Sequence, residues 1–529
     1  MSANNNRVVL ALLALATAPA LANAQHLTPI PHPIGQPQGT SLASAASASS
    51  TSSSPWSPLT HQPTFLVNGA SNQILLTDGT VLVQDEGFPD WWKLTPDQQG
   101  SYTGGTWTQI ASLPASYSPL YHSSAVLPDG RMIIEGGEYL LNAAQTQLVP
   151  TWTAQGSIYD PLADTWTPIA PPAGWKSIGD ASSVVLANGT YMQANCCTPE
   201  AALLDPMTLS WTSTGINKFD INDEEGWTLL PNNHVLAVNA YVSLYSPTGT
   251  NSELYNAHKG TWETAGSTLV QLWDSSAACG GSSKASYEVG PGVLRPDGTV
   301  FYAGANRCGA ANTAIYNTAD KTWTPGPAFP AGYGIADGPA ALEPNGKVLM
   351  MASPGVFRSP SQFFEWDGES LTQVPGTPNA SREPSFVGNM LVLPTGQILL
   401  TDFSNDIELY TPVQSDQHDW APVILNTQIF LDRGASYKVA GRRFNGMSQG
   451  AAYGDDAQAA TNWPLVRITH LESGHVAYSR THDHSSMAVA SNKIVSTHFD
   501  VSDTQEIGLS KLEVVTNGIA SNPILVFVY

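Results

Sequence analysis

Charge is scarce in this sequence, and basic charge is scarcest. Only 12% of the 529 residues are charged, with 21 Lys plus Arg against 43 Asp plus Glu. The net charge of −22 argues against nucleic acid and anionic membrane surfaces as partners, because both require a basic footprint. So few Lys, Glu and Arg also leave little material for long exposed helices. Cysteine is nearly absent. The four residues Cys196, Cys197, Cys279 and Cys308 do not have the spacing of a structural zinc site. Beyond residue 24 no apolar run approaches the ~20 residues that a membrane span needs, so no membrane insertion is expected. No nucleophile elbow, P-loop, dinucleotide fingerprint or zincin helix is present.

Turn formers and aromatics are plentiful instead. The chain has 45 Gly, 39 Pro and 15 Trp, and 42% of it is hydrophobic. That composition predicts an all-β protein with an ample core. At the N-terminus, Arg7, the apolar stretch from Val8 to Ala22 and the small-x-small step Ala22-Asn23-Ala24 have the form of a secretory signal peptide over 1–24. A secreted or periplasmic protein is therefore expected. Residues 25–60 are Ser, Ala, Pro and Thr, the composition of a flexible linker. Export permits disulfides. Cys279 and Cys308 lie in glycine-rich loops, which favours their pairing. Adjacent Cys196 and Cys197 admit a vicinal bridge, and two long-range bridges are the alternative.

One pattern organises the middle of the chain: an apolar strand, a short polar-Gly turn, and a second apolar strand. It recurs at Asp78, Asp129, Asn188, Asn232, Asp297, Asn345 and Thr395, at intervals of about 50 residues. A second hairpin follows most of these turns and carries Trp166, Trp211, Trp262 or Trp323. Four strands per period predict a seven-bladed kelch-type β-propeller over 61–412. The tryptophans are expected to pack between blades rather than to form a ligand platform. Residues 413–529 alternate apolar and polar, which predicts an immunoglobulin-like β-sandwich.

A signal peptide, kelch-like blades and a C-terminal sandwich together resemble the galactose oxidase and glyoxal oxidase family over residues 61–529. The segment "LYHSSAVLPDGRMIIEGG" looks like the family's second-blade segment, and the resemblance places the radical tyrosine on Tyr121. That family holds copper with two Tyr and two His, one Tyr being cross-linked to a Cys. The cysteine position falls near Ala70 or Ser71, where no Cys stands. The second Tyr-His pair falls on Phe386 and Val387, which carry no donor atoms. The last histidine matches His482, in Thr481-His482. A Tyr with one His is no Cu(II) site, so copper is not expected and the radical chemistry is read as lost.

Residues just before each inner strand should ring the mouth of the central channel. Eight residues before the turn residue stand Tyr121, Asp180, Glu224 and Asp337, His122 and Glu225 follow two of these, and Glu288 lies one step earlier in its blade. Converging carboxylates raise one another's pKa unless a cation sits among them. The set admits a hard cation, a general acid–base pair, or acids that never converge. Tyr121, His122, Asp180, Glu225, Glu288 and Asp337 are therefore the catalytic candidates. His482 and His484 are the metal-ligand candidates, expected to approach the acids from the C-terminal domain. A mixed set would suit Zn²⁺, Mn²⁺ or Fe²⁺. Arg382 and Arg442 are candidate compensating charges, and Asp455-Asp456 is taken as a solvated turn, with only weak Ca²⁺-loop character.

The expected function is a secreted galactose-oxidase-like protein that engages a carbohydrate or other small hydroxylated molecule at the propeller axis. The alternatives are a His/carboxylate enzyme, with or without a divalent cation, a copper oxidase with displaced ligands, and a non-catalytic glycan-binding or adhesion module.

Overall fold

The computed structural model describes residues 54–242, 251–274, 285–330, 332–413 and 418–529. The expected signal peptide, most of the expected linker and Cys279 lie outside these. Among the described residues the chain is almost wholly β.

The repeated hairpins fold as the sequence pattern predicts, with a longer turn. In the first, Gly79 N–H donates to the Leu76 carbonyl and Leu76 N–H to the Thr80 carbonyl, so the loop has three residues and ends on a left-handed glycine. Oδ1 of Asp78 accepts the Thr80 N–H at 3.0 Å. The same local bond recurs from Arg131 to Asp129 at 3.0 Å, Thr190 to Asn188 at 3.1 Å, Thr299 to Asp297 at 2.9 Å and Lys347 to Asn345 at 2.9 Å. Each Asp or Asn thus replaces a backbone partner inside its turn, and the next residue must tolerate positive φ. Asn233, at φ 65°, fills that place in the one repeat without glycine.

Each repeat builds one antiparallel sheet in chain order. The first runs Ala70–Leu75, Val81–Asp85, Trp91–Thr95 and Thr106–Gln109. Six such sheets have four strands, and the one beginning at Ala340–Leu342 is longer. The innermost strands neighbour one another from sheet to sheet, and the last, Asn389–Val392, meets the first, Ala70–Leu75. Trp56–Pro58, expected in the linker, is instead the outer strand of the last sheet, with Trp56 paired to Tyr410. The tryptophans pack as expected. Tyr159 faces Trp166 with ring centres 5.1 Å apart, and Tyr316 faces Trp323 at 5.0 Å. Trp166 Nε1 donates to Ala111 O at 2.8 Å, Trp211 Nε1 to Ala170 O at 2.8 Å and Trp323 Nε1 to Ala265 O at 3.1 Å. Each ties its sheet to the preceding one.

Two further sheets follow. Val423–Asn426, Ser436–Arg442, Val495–Asp500 and Thr481–His482 make one. Phe430–Leu431, Ile524–Val528, Gly508–Thr516, Leu465–His470 and Val476–Ser479 make the other. Their common core includes Val439, Phe444, Ile468, Phe499, Leu512 and Val526. No helix of the described residues is long and apolar enough to cross a membrane.

Candidate metal centre

The same backbone step precedes several inner strands. Tyr121, Glu224 and Asp337 all adopt left-handed φ, at 52°, 58° and 44°. In the third repeat Gly179, at φ 73°, takes the step just before Asp180. Non-glycine residues held there cost ~1–3 kcal/mol each, and such strain concentrates at functional sites. Here it sets Glu224 and Asp337 at the entrances to the inner strands Trp227–Leu229 and Ala340–Leu342, on either side of Gly292–Leu294.

A loop from the C-terminal region completes the arrangement. Ala451 and Ala452 add a short strand to the sixth sheet, against Ala341 and Ala340. Beyond them the loop enters the ring. Tyr453 OH donates to Phe386 O at 2.5 Å, Ser182 Oγ to Asp455 O at 2.9 Å and Ser124 Oγ to Gln458 O at 3.2 Å. Two glycines permit this approach. A β-carbon on Gly226 would stand 2.3 Å from Gly454 O. The loop carries Asp455 and Asp456, which are 5% and 2% exposed. The expectation of a solvated turn is thus corrected: the turn is buried because the ring swallows it.

One carboxylate oxygen each from Glu224, Asp337 and Asp455 lies within 4.8 Å of the others. Burial and the charges of Asp180, Asp337 and Glu224 drive the Asp455 carboxyl far above the usual range. Glu288 and Asp456 are raised by burial and then by Asp337. Glu138 is raised by burial and by Asp180 and Asp456. Oε2 of Glu288 and Oδ2 of Asp456 are buried and have no hydrogen-bond partner among the described residues. Buried oxygens of this kind cost ~1–3 kcal/mol or more when nothing satisfies them.

The charges of Asp180, Asp337 and Glu224 act on Asp455, and those of Asp337 and Asp455 act on Glu288, so it is Glu224, and not the Glu225 of the candidate set, that stands with these acids. Glu225 faces elsewhere: Lys218 Nζ holds it at 2.8 Å and also reaches Glu253 at 3.2 Å, inside the fourth sheet. The imidazoles do not join the acids. His484 is buried with Nδ1 2.8 Å from Thr497 Oγ1, and burial lowers its pKa to about 3. His482 pairs with Asp483 and Asp500 on the C-terminal sheet. Arg382 donates to Asn379 and Arg442 to the Asn492 carbonyl, so these bonds too lie away from the acids.

Tyr121 and His122 line a small cavity of about 20 Å³ with Ser71, Gln84, Tyr453 and Asp456, room for about one water, so that Asp456 is shared between this cavity and the acids. His122 Nε2 is 2.9 Å from Gln84 Oε1, and burial lowers its pKa to about 4. Phe386 and Val387 pack in the same cluster as Tyr121, Tyr139 and Phe403. Ser71, Phe386 and Val387 therefore lie around Tyr121, whereas His482, which the resemblance matches to the last copper histidine, is held by Asp483 and Asp500 on the C-terminal sheet.

Sequence counting missed Glu138, Asp223, Asp455 and Asp456. Asp223 was legible in the acidic run Asp223-Glu224-Glu225, and Asp455-Asp456 as an adjacent pair. Nothing in the pattern announced that their loop enters the ring. Asp223 lies beside Cys196, with Oδ1 3.8 Å from Sγ, and Sγ of Cys196 and Cys197 are 2.6 Å apart.

No family model matches the chain. The Kelch-like protein terF of Aspergillus terreus is 30% identical over 129 residues, 24% of this chain and 25% of that relative. The matched region thus spans about a quarter of the relative's length. Among solved structures, a copper-bound fungal alcohol oxidase of the AA5 family is similar over 90% of this chain and 98% of its own. It has 13% identity and a TM-score of 0.48. A streptogramin B lyase is similar over 67% of this chain and 96% of its own, with 10% identity and a TM-score of 0.43.

Proposed function

We propose that the chain is a secreted protein built as a seven-bladed propeller with an immunoglobulin-like domain, in the manner of galactose oxidase. Its axial carboxylates hold a hard divalent cation and through it engage a small hydroxylated molecule. The observation that carries this reading is the convergence of Glu224, Asp337 and Asp455 within 4.8 Å. It is supported by the buried, unsatisfied oxygens of Glu288 and Asp456. Ca²⁺ takes six to eight oxygen ligands, including carboxylates, backbone carbonyls and waters. An all-oxygen set without imidazole favours Ca²⁺, Mg²⁺ or Mn²⁺ over Zn²⁺ or copper. Beside the acids, Tyr241 and Tyr287 stack with ring centres 4.2 Å apart. Both rings are half-buried. An apolar face next to a cation is suited to a sugar ring or another polyol.

Copper-radical chemistry is read as lost. No cysteine stands at Ala70 or Ser71, where the resemblance places the cross-linking residue; Ser71 lines the Tyr121 cavity, and Phe386 and Val387 bring no donor to that cluster. No reaction step is assigned to copper.

A second reading has its own support. Burial and then the charge of Asp337 raise the pKa of Glu288, and burial and then the charge of Glu288 raise that of its neighbour Glu224. A proton shared between such carboxyls would supply a general acid. Cation analysis separates the two readings. Protein stripped with EDTA and dialysed against Ca²⁺ or Mn²⁺ should retain about one tightly bound ion, and Asp455→Asn should weaken that retention at least tenfold. Absence of any bound ion in the parent protein at neutral pH would remove the cation reading and leave acid–base work.

A further inference from the structure

His482 and His498 face one another across two antiparallel strands, in direct register. Facing partners in such a pair project from the same side of the sheet, and their imidazole rings stack at 5.6 Å with 23° between planes. The next residue, Asp483, is left-handed at φ 52°. Its Oδ2 lies 2.9 Å from Nδ1 of His482 and 3.7 Å from Nδ1 of His498. A tetrahedral ion bound at ~2.0–2.1 Å to nitrogen and oxygen requires ligand atoms about 3.3 Å apart, and these two separations bracket that value.

Two further observations point to a ligand. Nδ1 of His498 is buried and has no hydrogen-bond partner among the described residues. Nε2 of His482 lies 3.1 Å from Oδ1 of Asp500, whose other oxygen takes Nη1 of Arg480 at 3.1 Å. With its Nε2–H donated to Asp500, His482 presents the Nδ1 lone pair toward Asp483. A carboxylate that fixes a histidine tautomer in this way is the usual outer partner of a metal-binding imidazole.

The geometry points to a second metal site, on the C-terminal sheet. His482 Nδ1, His498 Nδ1 and Asp483 Oδ2 are three ligands for a borderline transition-metal ion such as Zn²⁺, with a fourth position open to solvent. The Asp483 side chain is 60% exposed and that of His498 is 40% exposed, so an ion can enter from solution. The site is independent of the axial carboxylates in position and in ligand chemistry, because imidazole suits Zn²⁺ and an all-carboxylate centre suits hard cations.

The test uses untagged, EDTA-treated full-length protein, titrated with Zn²⁺ by calorimetry and with Co²⁺ by visible absorption. One Zn²⁺ should bind, and Co²⁺ should give the intense band of a tetrahedral ion. His498→Ala and His482→Gln should each weaken Zn²⁺ binding about 100-fold, and Asp500→Asn by ~10–100-fold. Asp455→Asn should leave it unchanged while weakening the axial ion. Far-UV dichroism would confirm that the variants fold. No Zn²⁺ uptake, or uptake unchanged in both histidine variants, would overturn the assignment and leave Asp483 as an ion-pair partner of the two imidazoles. Loss of the axial ion alone would count against the axial reading and not against this one.

Discussion

Gly454 faces Asp337 so closely that a β-carbon on the glycine would stand 2.1 Å from Oδ1 of the aspartate. A residue of the C-terminal region therefore sets the position of an acid that belongs to the ring. Gly454→Ala should force the loop outward and separate Asp455 from Glu224 and Asp337. The expected result is loss of the axial ion with the sheets intact, seen as a fall in bound Ca²⁺ at unchanged far-UV dichroism. Parent-like ion binding in this variant would mean that Asp455 is not a ligand.

Stability of the cation-free protein should fall as pH rises. Burial and the charge of Asp85 raise Glu86 from its ordinary 4.5 to about 8, and Glu288, Asp455 and Asp456 are raised by burial and by their neighbours. Between about 4.5 and 8 the folded chain keeps the Glu86 proton that the unfolded chain has lost. The unfolded state then binds fewer protons, and stability declines with pH. The urea midpoint should be lower at pH 8 than at pH 5, and Ca²⁺ should restore it at pH 8. A midpoint that rises over this range would show that the acids are ionised and compensated within the protein.

Lys218 neutralises two buried acids, Glu225 and Glu253, and its side chain is 0% exposed. Its ammonium also stands 4.9 Å from the centre of the Trp262 ring. Lys218→Met should cost ~3–5 kcal/mol, because it strands carboxylates inside the sheet. Denaturant unfolding measures this directly. A cost below ~1 kcal/mol would show that Glu225 and Glu253 take up protons at little expense.

Copper loading should produce no tyrosyl–cysteinyl bond at Tyr121. Ser71 stands in the same cavity where a cysteine would be needed. Peptide mass spectrometry should find the Tyr121 peptide at its unmodified mass, and galactose or methylglyoxal should yield no peroxide above background. Peroxide production would restore the oxidase.

The sheets were legible in the sequence because each turn encodes its own geometry. An Asp or Asn that caps the residue two positions on, followed by a left-handed glycine, needs no long-range partner. Counting back from those turns located Asp180, Glu224 and Asp337 for the same reason. It failed on Glu225, because neighbouring residues at a left-handed step point in different directions and Lys218 claims this one. It failed on His482, whose partner His498 is set by the pairing of two C-terminal strands. The burial of Asp455 and Asp456 depends on two glycines far apart in the chain, Gly226 and Gly454, that permit contact, which no local pattern records.

The strand Trp56–Pro58, which completes the last sheet against Glu408–Tyr410, has a consequence for the order of folding. Closure of the ring must wait until nearly the whole repeat region has been made, while the first sheet-forming residues emerge early and stay unmatched. Pairings so distant in sequence are slow to form, and exposed strand edges invite wrong partners meanwhile. A chain made from its N-terminus therefore carries one open edge until the last repeat is complete, and its yield of folded protein should depend on how long that edge is kept from other chains.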